Sequence, residues 1–67
     1  MYTVLQAAEA IPAGESLAEA QTNGRIELVF VPGDQVVPGA VGSTKGLDGV
    51  ALADIAEGEQ ITSASFG

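Results

Sequence analysis

Residues 53–62 read Ala53-Asp54-Ile55-Ala56-Glu57-Gly58-Glu59-Gln60-Ile61-Thr62, and they nearly repeat Ala10-Ile11-Pro12-Ala13-Gly14-Glu15-Ser16-Leu17, 44 positions upstream. Ile11 answers to Ile55, Gly14 to Gly58, Glu15 to Glu59, Leu17 to Ile61 and Ala20 to Ala64. These are the positions a tight turn must specify: an aliphatic residue entering, a Gly at the corner that can take positive φ, and an aliphatic residue returning. Over 11–20 and 55–64 there are four identities and one Leu/Ile exchange. In a chain rich in Ala, Gly and Glu, composition alone produces part of such a match. Two units are too few for a solenoid. They read as halves of one core about a pseudo-twofold axis, each covering apolar residues the other leaves bare.

A chain of 67 residues is one small domain, and an apolar fraction of 46% excludes intrinsic disorder. Eleven of the apolar residues are Ala, so the volume of the core rests on Val, Leu, Ile and two Phe. Small domains are often stapled by disulfides or metal, and this one has no Cys and no His. Its stability must come from tight packing, from turns fixed by Pro and Gly, or from neighbouring domains. The net charge is −7, with Arg25 and Lys45 the only cations. That balance disfavours nucleic acids and anionic membrane surfaces as partners, since both are bound through Lys and Arg. The plain reading of the acidity is solubility. No apolar run approaches the ~20 residues that span a bilayer, and nothing basic precedes an apolar segment at the start as in a signal peptide.

Taken in order, Tyr2 to Ala8 predicts a strand, with Thr3, Val4 and Leu5 favouring β structure. Its imperfect alternation leaves the buried face open. Ile11-Pro12-Ala13-Gly14 is a turn. Ser16 to Gln21 predicts one helical turn, with Ser16 as N-cap and Glu19 three residues on, the capping-box pattern; the alternative is a loop with Leu17 as a buried plug. Asn23-Gly24 is the strongest tight-turn dipeptide in the chain. Arg25 to Val31 is the clearest strand, and the near-continuous run Ile26, Leu28, Val29, Phe30, Val31 predicts burial on both faces or a place at the centre of the domain. Pro32-Gly33-Asp34 ends it. Val36-Val37 is a brief extended piece, Pro38-Gly39 turns, and Gly42 to Gly46 is a loose polar loop. Leu47-Asp48-Gly49 turns again, and Val50 to Ile55 is predicted as the last full strand. Thr62 to Ser65 mirrors Ala18 to Gln21, with Phe66 as a terminal anchor. With no long helical period and short strands cut by nine Gly and three Pro, the class is a small, irregular all-β domain of barrel-like or clip-like form.

The stretch Val4 to Leu17 resembles the opening of a SAF domain, the superfamily of the type III antifreeze proteins and their bacterial relatives. Leu47 to Thr62 resembles its closing half, and Val31-Pro32 with Val37-Pro38-Gly39-Ala40-Val41 is similar to its middle section. The resemblance covers nearly the whole chain. It implies a β-clip fold with a pseudo-twofold repeat and one or two short helical turns. Within the superfamily the wording is most similar to the SAF domain of Flp (tight-adherence) pilus assembly proteins, and flagellar P-ring chaperones carry a related module. Those are bacterial envelope proteins, so the resemblance implies an extracytoplasmic location, in the periplasm or cell envelope. The pilus proteins also carry a membrane anchor and further domains, which implies that residues 1–67 are a single SAF-like domain, excised from or part of a longer envelope protein, or a shorter relative of one.

No catalytic, cofactor-binding or metal-ligating constellation stands out. Asp54, Glu57 and Glu59 place three carboxylates within six residues, as a hard cation would want. Their spacing is not that of a calcium loop and nothing supplies further ligands, so they read as solvated turn residues. A paired-carboxylate hydrolase would need a pocket and aromatic subsites, and Tyr2, Phe30 and Phe66 are the only aromatics. Ser16, Ser43, Ser63 and Ser65 have no His to activate them. Lys45, in a Gly-flanked loop, reads as a surface lysine. No Gly-rich phosphate cradle is present. An ice-binding face, as in the antifreeze relatives, is implied to be flat and nearly uncharged, and Gly14 to Gln21 carries Glu15 and Glu19.

The expectation is a non-catalytic assembly or scaffolding module of a Flp-type pilus or secretion apparatus, whose partners are other proteins of that apparatus. Glu15, Lys45 and Glu59, on the two turns and the Gly42 to Gly46 loop, are the candidate partner-binding residues. The alternative from a different class is a sugar- or substrate-binding accessory domain of an enzyme such as a sugar-acid dehydratase or sialic acid synthase, where a cell-wall or sugar ligand replaces the protein partner.

Overall fold

Thr3, Val4 and Leu5 carry the chain into β1 (Tyr2–Ala7), which pairs antiparallel with β2 (Ile26–Val31) from Tyr2 opposite Val31 to Ala7 opposite Ile26. This two-stranded ribbon is the only regular sheet in the computed structural model, which describes residues Met1–Gly67. Between the strands lies α1 (Leu17–Thr22), and a single 3-10 turn at Gly33–Gln35 follows β2. The rest of the chain is held by isolated bridges and turns, so the domain is small and mostly β. No helix is long and apolar enough to cross a membrane.

The helix forms where the capping signal placed it. Ser16 is extended (φ −71°, ψ 152°) and its Oγ accepts the Glu19 N–H at 3.1 Å, meeting one of the unpaired donors at a helix start. At the other end Gly24 N–H donates to Gln21 O (3.1 Å) and Arg25 N–H to Ala20 O (2.9 Å). That nested pair is the Schellman arrangement, so Asn23-Gly24 closes a helix rather than a hairpin. Six residues are too few for an isolated helix. Burial of Leu17 and Ala20 against the core holds it in place.

The repeat is visible in the backbone bonding. Ile11 and Ile55 exchange both N–H···O bonds at 2.8 Å, so each binds its own counterpart. Around them the bonds come in matched pairs at the same offset. Gly14 N–H donates to Ala51 O as Gly58 N–H donates to Ala7 O, and Ala51 N–H donates to Glu15 O as Ala7 N–H donates to Glu59 O. Leu17 N–H reaches Gly49 O as Ile61 N–H reaches Leu5 O. The bridge of Gln6 to Gln60 likewise matches that of Ser16 to Val50. Such reciprocity requires a local twofold axis passing between Ile11 and Ile55. Both corner glycines take positive φ, 89° at Gly14 and 85° at Gly58, a conformation that costs a residue bearing a Cβ.

The core gathers along this axis. Ala7 with Ala51, Ile11 with Ile55 and Leu17 with Ile61 are buried in pairs, joined by Leu5, Ala20 and Phe66. Burying each large aliphatic side chain contributes roughly 1.5–3 kcal/mol. Phe66 is the terminal anchor the sequence suggests: it is buried, and next to it Val50 and Gly67 exchange N–H···O bonds at 3.0 Å.

Two expectations are corrected. The strand at 26–31 is present, but it is neither central nor covered on both faces: it is an edge with β1 as its one neighbour, and Leu28 and Phe30 are 55% and 67% exposed. An unbroken apolar run reads as a doubly covered strand, and here the core reaches Ile26 and stops short of Leu28 and Phe30. Val50 to Ile55 is not a strand. Its backbone bonds are shared among Gly67, Glu15, Ser65 and Ile11 in turn, and a chain that changes partner at every step cannot hold one ladder.

Candidate functional site

The two turns present the candidate residues Glu15 and Glu59 at equivalent positions, and one atom separates their fates. In the second turn Glu59 N–H bonds back to Ala56 O at 3.0 Å, and the Glu59 Oε1 accepts the Ala56 N–H at 3.2 Å. The glutamate thus closes its own turn and stays exposed. The first turn has the same backbone bond, Glu15 N–H to Pro12 O at 3.1 Å, but Pro12 has no N–H to offer. The Glu15 carboxylate turns instead to the Arg25 guanidinium, which donates to its Oε1. The Glu15 side chain is only 9% exposed, and its Oε2 is buried without a hydrogen-bond partner. Glu15 therefore ties the turn to the entry of β2 and presents little carboxylate to a partner.

Asp54, Glu57 and Glu59 are all exposed. Two of them also fasten backbone: beyond the Glu59 bond, Asp54 Oδ1 accepts the Ala13 N–H at 2.8 Å, linking the second half to the corner of the first. No group of three or more His, Cys, Asp or Glu is placed to hold a metal ion. Ser16 caps α1, Ser43 Oγ accepts the Lys45 N–H at 3.3 Å, and Ser65 Oγ accepts the Thr62 N–H at 3.0 Å. Each of these hydroxyls is committed to local backbone. Lys45 is exposed and makes no ion pair, so it is the one free cationic side chain.

Gln60 occupies the position of Ser16 in the second half and does different work. Its Oε1 accepts the Val37 N–H at 3.1 Å and its Nε2 donates to Gln35 O at 2.7 Å, clamping the segment that leaves β2. Neither Gln60 nor Arg25 was singled out by sequence. The Arg25 pairing had only a weak signal: nine acids are available to it, yet Lys45, with the same choice, pairs with none.

Two concave surfaces border these elements. The first, about 350 Å³, lies between the turns, lined by Ile11, Pro12, Asp54, Ile55, Ala56 and Glu59. The second, about 480 Å³, runs from Leu5, Ile26 and Leu28 to the loop residues Gly42, Ser43 and Thr44. That loop lies directly on β1: a Cβ at Gly42 would come within 2.9 Å of Thr3 O. Beside this groove stand Leu28 and Phe30. They alternate along β2 and so lie on the same side of the ribbon, the side on which Leu5, Ala7 and Ile26 pack into the core, and beyond that core both stay exposed on a strongly acidic domain. Glu15, Glu59 and Lys45 line neither the apolar pair nor, apart from Glu59, either of these grooves.

No family model, curated protein or solved structure matches the chain.

Proposed function

We propose that the chain is a β-clip domain of SAF type, acting as a non-catalytic assembly module of a bacterial Flp-type pilus or secretion apparatus in the cell envelope. The fold reading is supported by the matched bonding of two turn units about Ile11 and Ile55, which is what a clip of two interlocked halves requires. The observation that carries the function is the exposed pair Leu28 and Phe30. An exposed aromatic and aliphatic pair side by side on a small acidic domain fits contact with another protein, in which a few anchoring residues carry most of the energy. The test replaces the SAF domain of a Flp-type pilus assembly protein with this chain and counts pili by electron microscopy. Restored piliation is expected. A folded, correctly exported swap that leaves the cells bare would count against the reading, as would an alanine scan of Leu28, Phe30, Glu15, Lys45 and Glu59 that left piliation untouched.

A second reading, the sugar-binding accessory domain, is favoured by the groove between the turns. Its volume falls in the range of ligand sites, and Asp54 and Glu59 stand on its lining with oxygens able to accept from hydroxyls. Calorimetric titration with neutral sugars and peptidoglycan fragments separates the two. Heats that vanish on Asp54→Ala would favour the accessory domain.

A further inference from the structure

We propose that the open edge of β2 receives an extended peptide segment of a partner protein as a third strand, and that this segment carries Lys or Arg beside an apolar, alternating stretch. The inference rests on the assembly reading and names the surface and the chemistry of the partner.

The direction of the backbone groups makes the edge available. On β1, Leu5 and Ala7 send their N–H groups away from β2, to Val41 O (2.8 Å) and Glu59 O (2.9 Å), and their carbonyls accept from Ile61 and Gly58. In an antiparallel ladder, bonding residues alternate with non-bonding ones, so Gln6, Val4 and Tyr2 carry the bonds to Glu27, Val29 and Val31. The N–H and C=O of Ile26, Leu28 and Phe30 then point out of the ribbon, and none of them bonds any turn, loop or cap. Natural edges are usually blunted by Pro, a bulge, an inward charge or a covering loop. β2 has none of these along Ile26 to Val31; its single charge, Glu27, lies on the opposite side of the ribbon from Leu28 and Phe30, beside Gln6. A strand added here gains main-chain bonds along the edge, and its alternate side chains meet Leu28, Phe30 and the groove beneath them.

Charge selects the occupant. Of the two cations, Arg25 at the start of β2 is already neutralised by Glu15, and only Lys45, next to Thr44 of the groove, is free. Glu27 lies within the strand and Asp34 three residues beyond it, and the whole domain carries −7. A second copy would bring another −7 to the same edge, whereas a basic-flanked segment is drawn to it.

The experiment uses the full chain and synthetic peptides of alternating Val and Thr, flanked at both ends by Lys pairs or by Glu pairs. With the Lys-flanked peptide, amide shifts concentrated at Ile26, Leu28 and Phe30 are expected. Affinity should fall about tenfold or more with Glu flanks, and likewise as salt is raised. Leu28→Pro removes an outward donor without a ladder bond and is expected to abolish the shifts. Phe30→Thr, at an exposed site that leaves folding intact, should weaken them. No shift at about 1 mM peptide, shifts elsewhere, or equal binding of the Glu-flanked peptide would overturn the proposal. So would sedimentation showing a dimer that Leu28→Pro dissociates, since the edge would then belong to a second copy. A failed peptide experiment with restored piliation in the domain swap removes the edge and leaves the assembly reading standing.

Discussion

The turns at Pro12–Glu15 and Ala56–Glu59 have the same backbone bonds, the same corner glycine conformation and the same glutamate, yet their side chains are wired differently. Ala56 offers an N–H and Glu59 takes it; Pro12 offers none, and Glu15 reaches out to Arg25. The next position diverges in turn: Ser16 starts a helix, while Gln60 clamps the exit of β2. Backbone geometry sets the symmetric frame, and a few atoms at equivalent positions decide which parts of the ribbon each half grips. The half with proline secures the start of β2, the half without it secures the segment after β2, and the strand between is left with a bare edge.

The comparison can be broken first at the axis. Ile11→Ala and Ile55→Ala are each expected to cost about 2–5 kcal/mol in urea unfolding, by similar amounts because both are buried at equivalent positions in one core. A large cost at Ile11 with almost none at Ile55 would show that the second half is only draped over the first. Arg25→Ala comes next, at about 1–3 kcal/mol, because it strands the nearly buried Glu15 carboxylate. Glu59→Gln, whose carboxylate is exposed and bonds only its own turn, is expected to cost less than half as much. At the corners, Gly14→Ala and Gly58→Ala should each cost about 1–2 kcal/mol and match one another, since neither has an atom near enough to clash and the whole cost is conformational. The smallest effect is that of Pro12→Ala, about 0.4–1 kcal/mol through the unfolded chain. It also sharpens the contrast: with an N–H restored to the first turn, a double-mutant cycle should show weaker coupling between Glu15 and Arg25.

Much of the frame was legible because a turn is specified locally. Ile11, Gly14 and Leu17, with their counterparts Ile55, Gly58 and Ile61, declare entry, corner and return within a few residues, and Ser16 with Glu19 declares the helix. What was not legible depended on distant chain. The run from Ile26 to Val31 carries the composition of a covered strand, and that β1 is its one neighbour is settled by pairing between distant parts of the chain. The ion pair of Glu15 follows from a proline three positions earlier and an arginine ten positions later. The bond between Asp54 and Ala13 joins residues 41 positions apart. Side-chain roles at the turns were therefore less readable than the turns themselves, and the exposed face of β2 emerged only once the fold was in hand.

Residue-by-residue amide hydrogen exchange on the monomeric chain tests the central claim, a twofold-bonded core beside an open strand edge. Exchange should be slowest, and matched in pairs, at Ile11 with Ile55, Gly14 with Gly58 and Ala7 with Ala51, while Ile26, Leu28 and Phe30 exchange quickly. Protection of those three edge amides comparable to the core, or a second half that exchanges while the first stays protected, would contradict it.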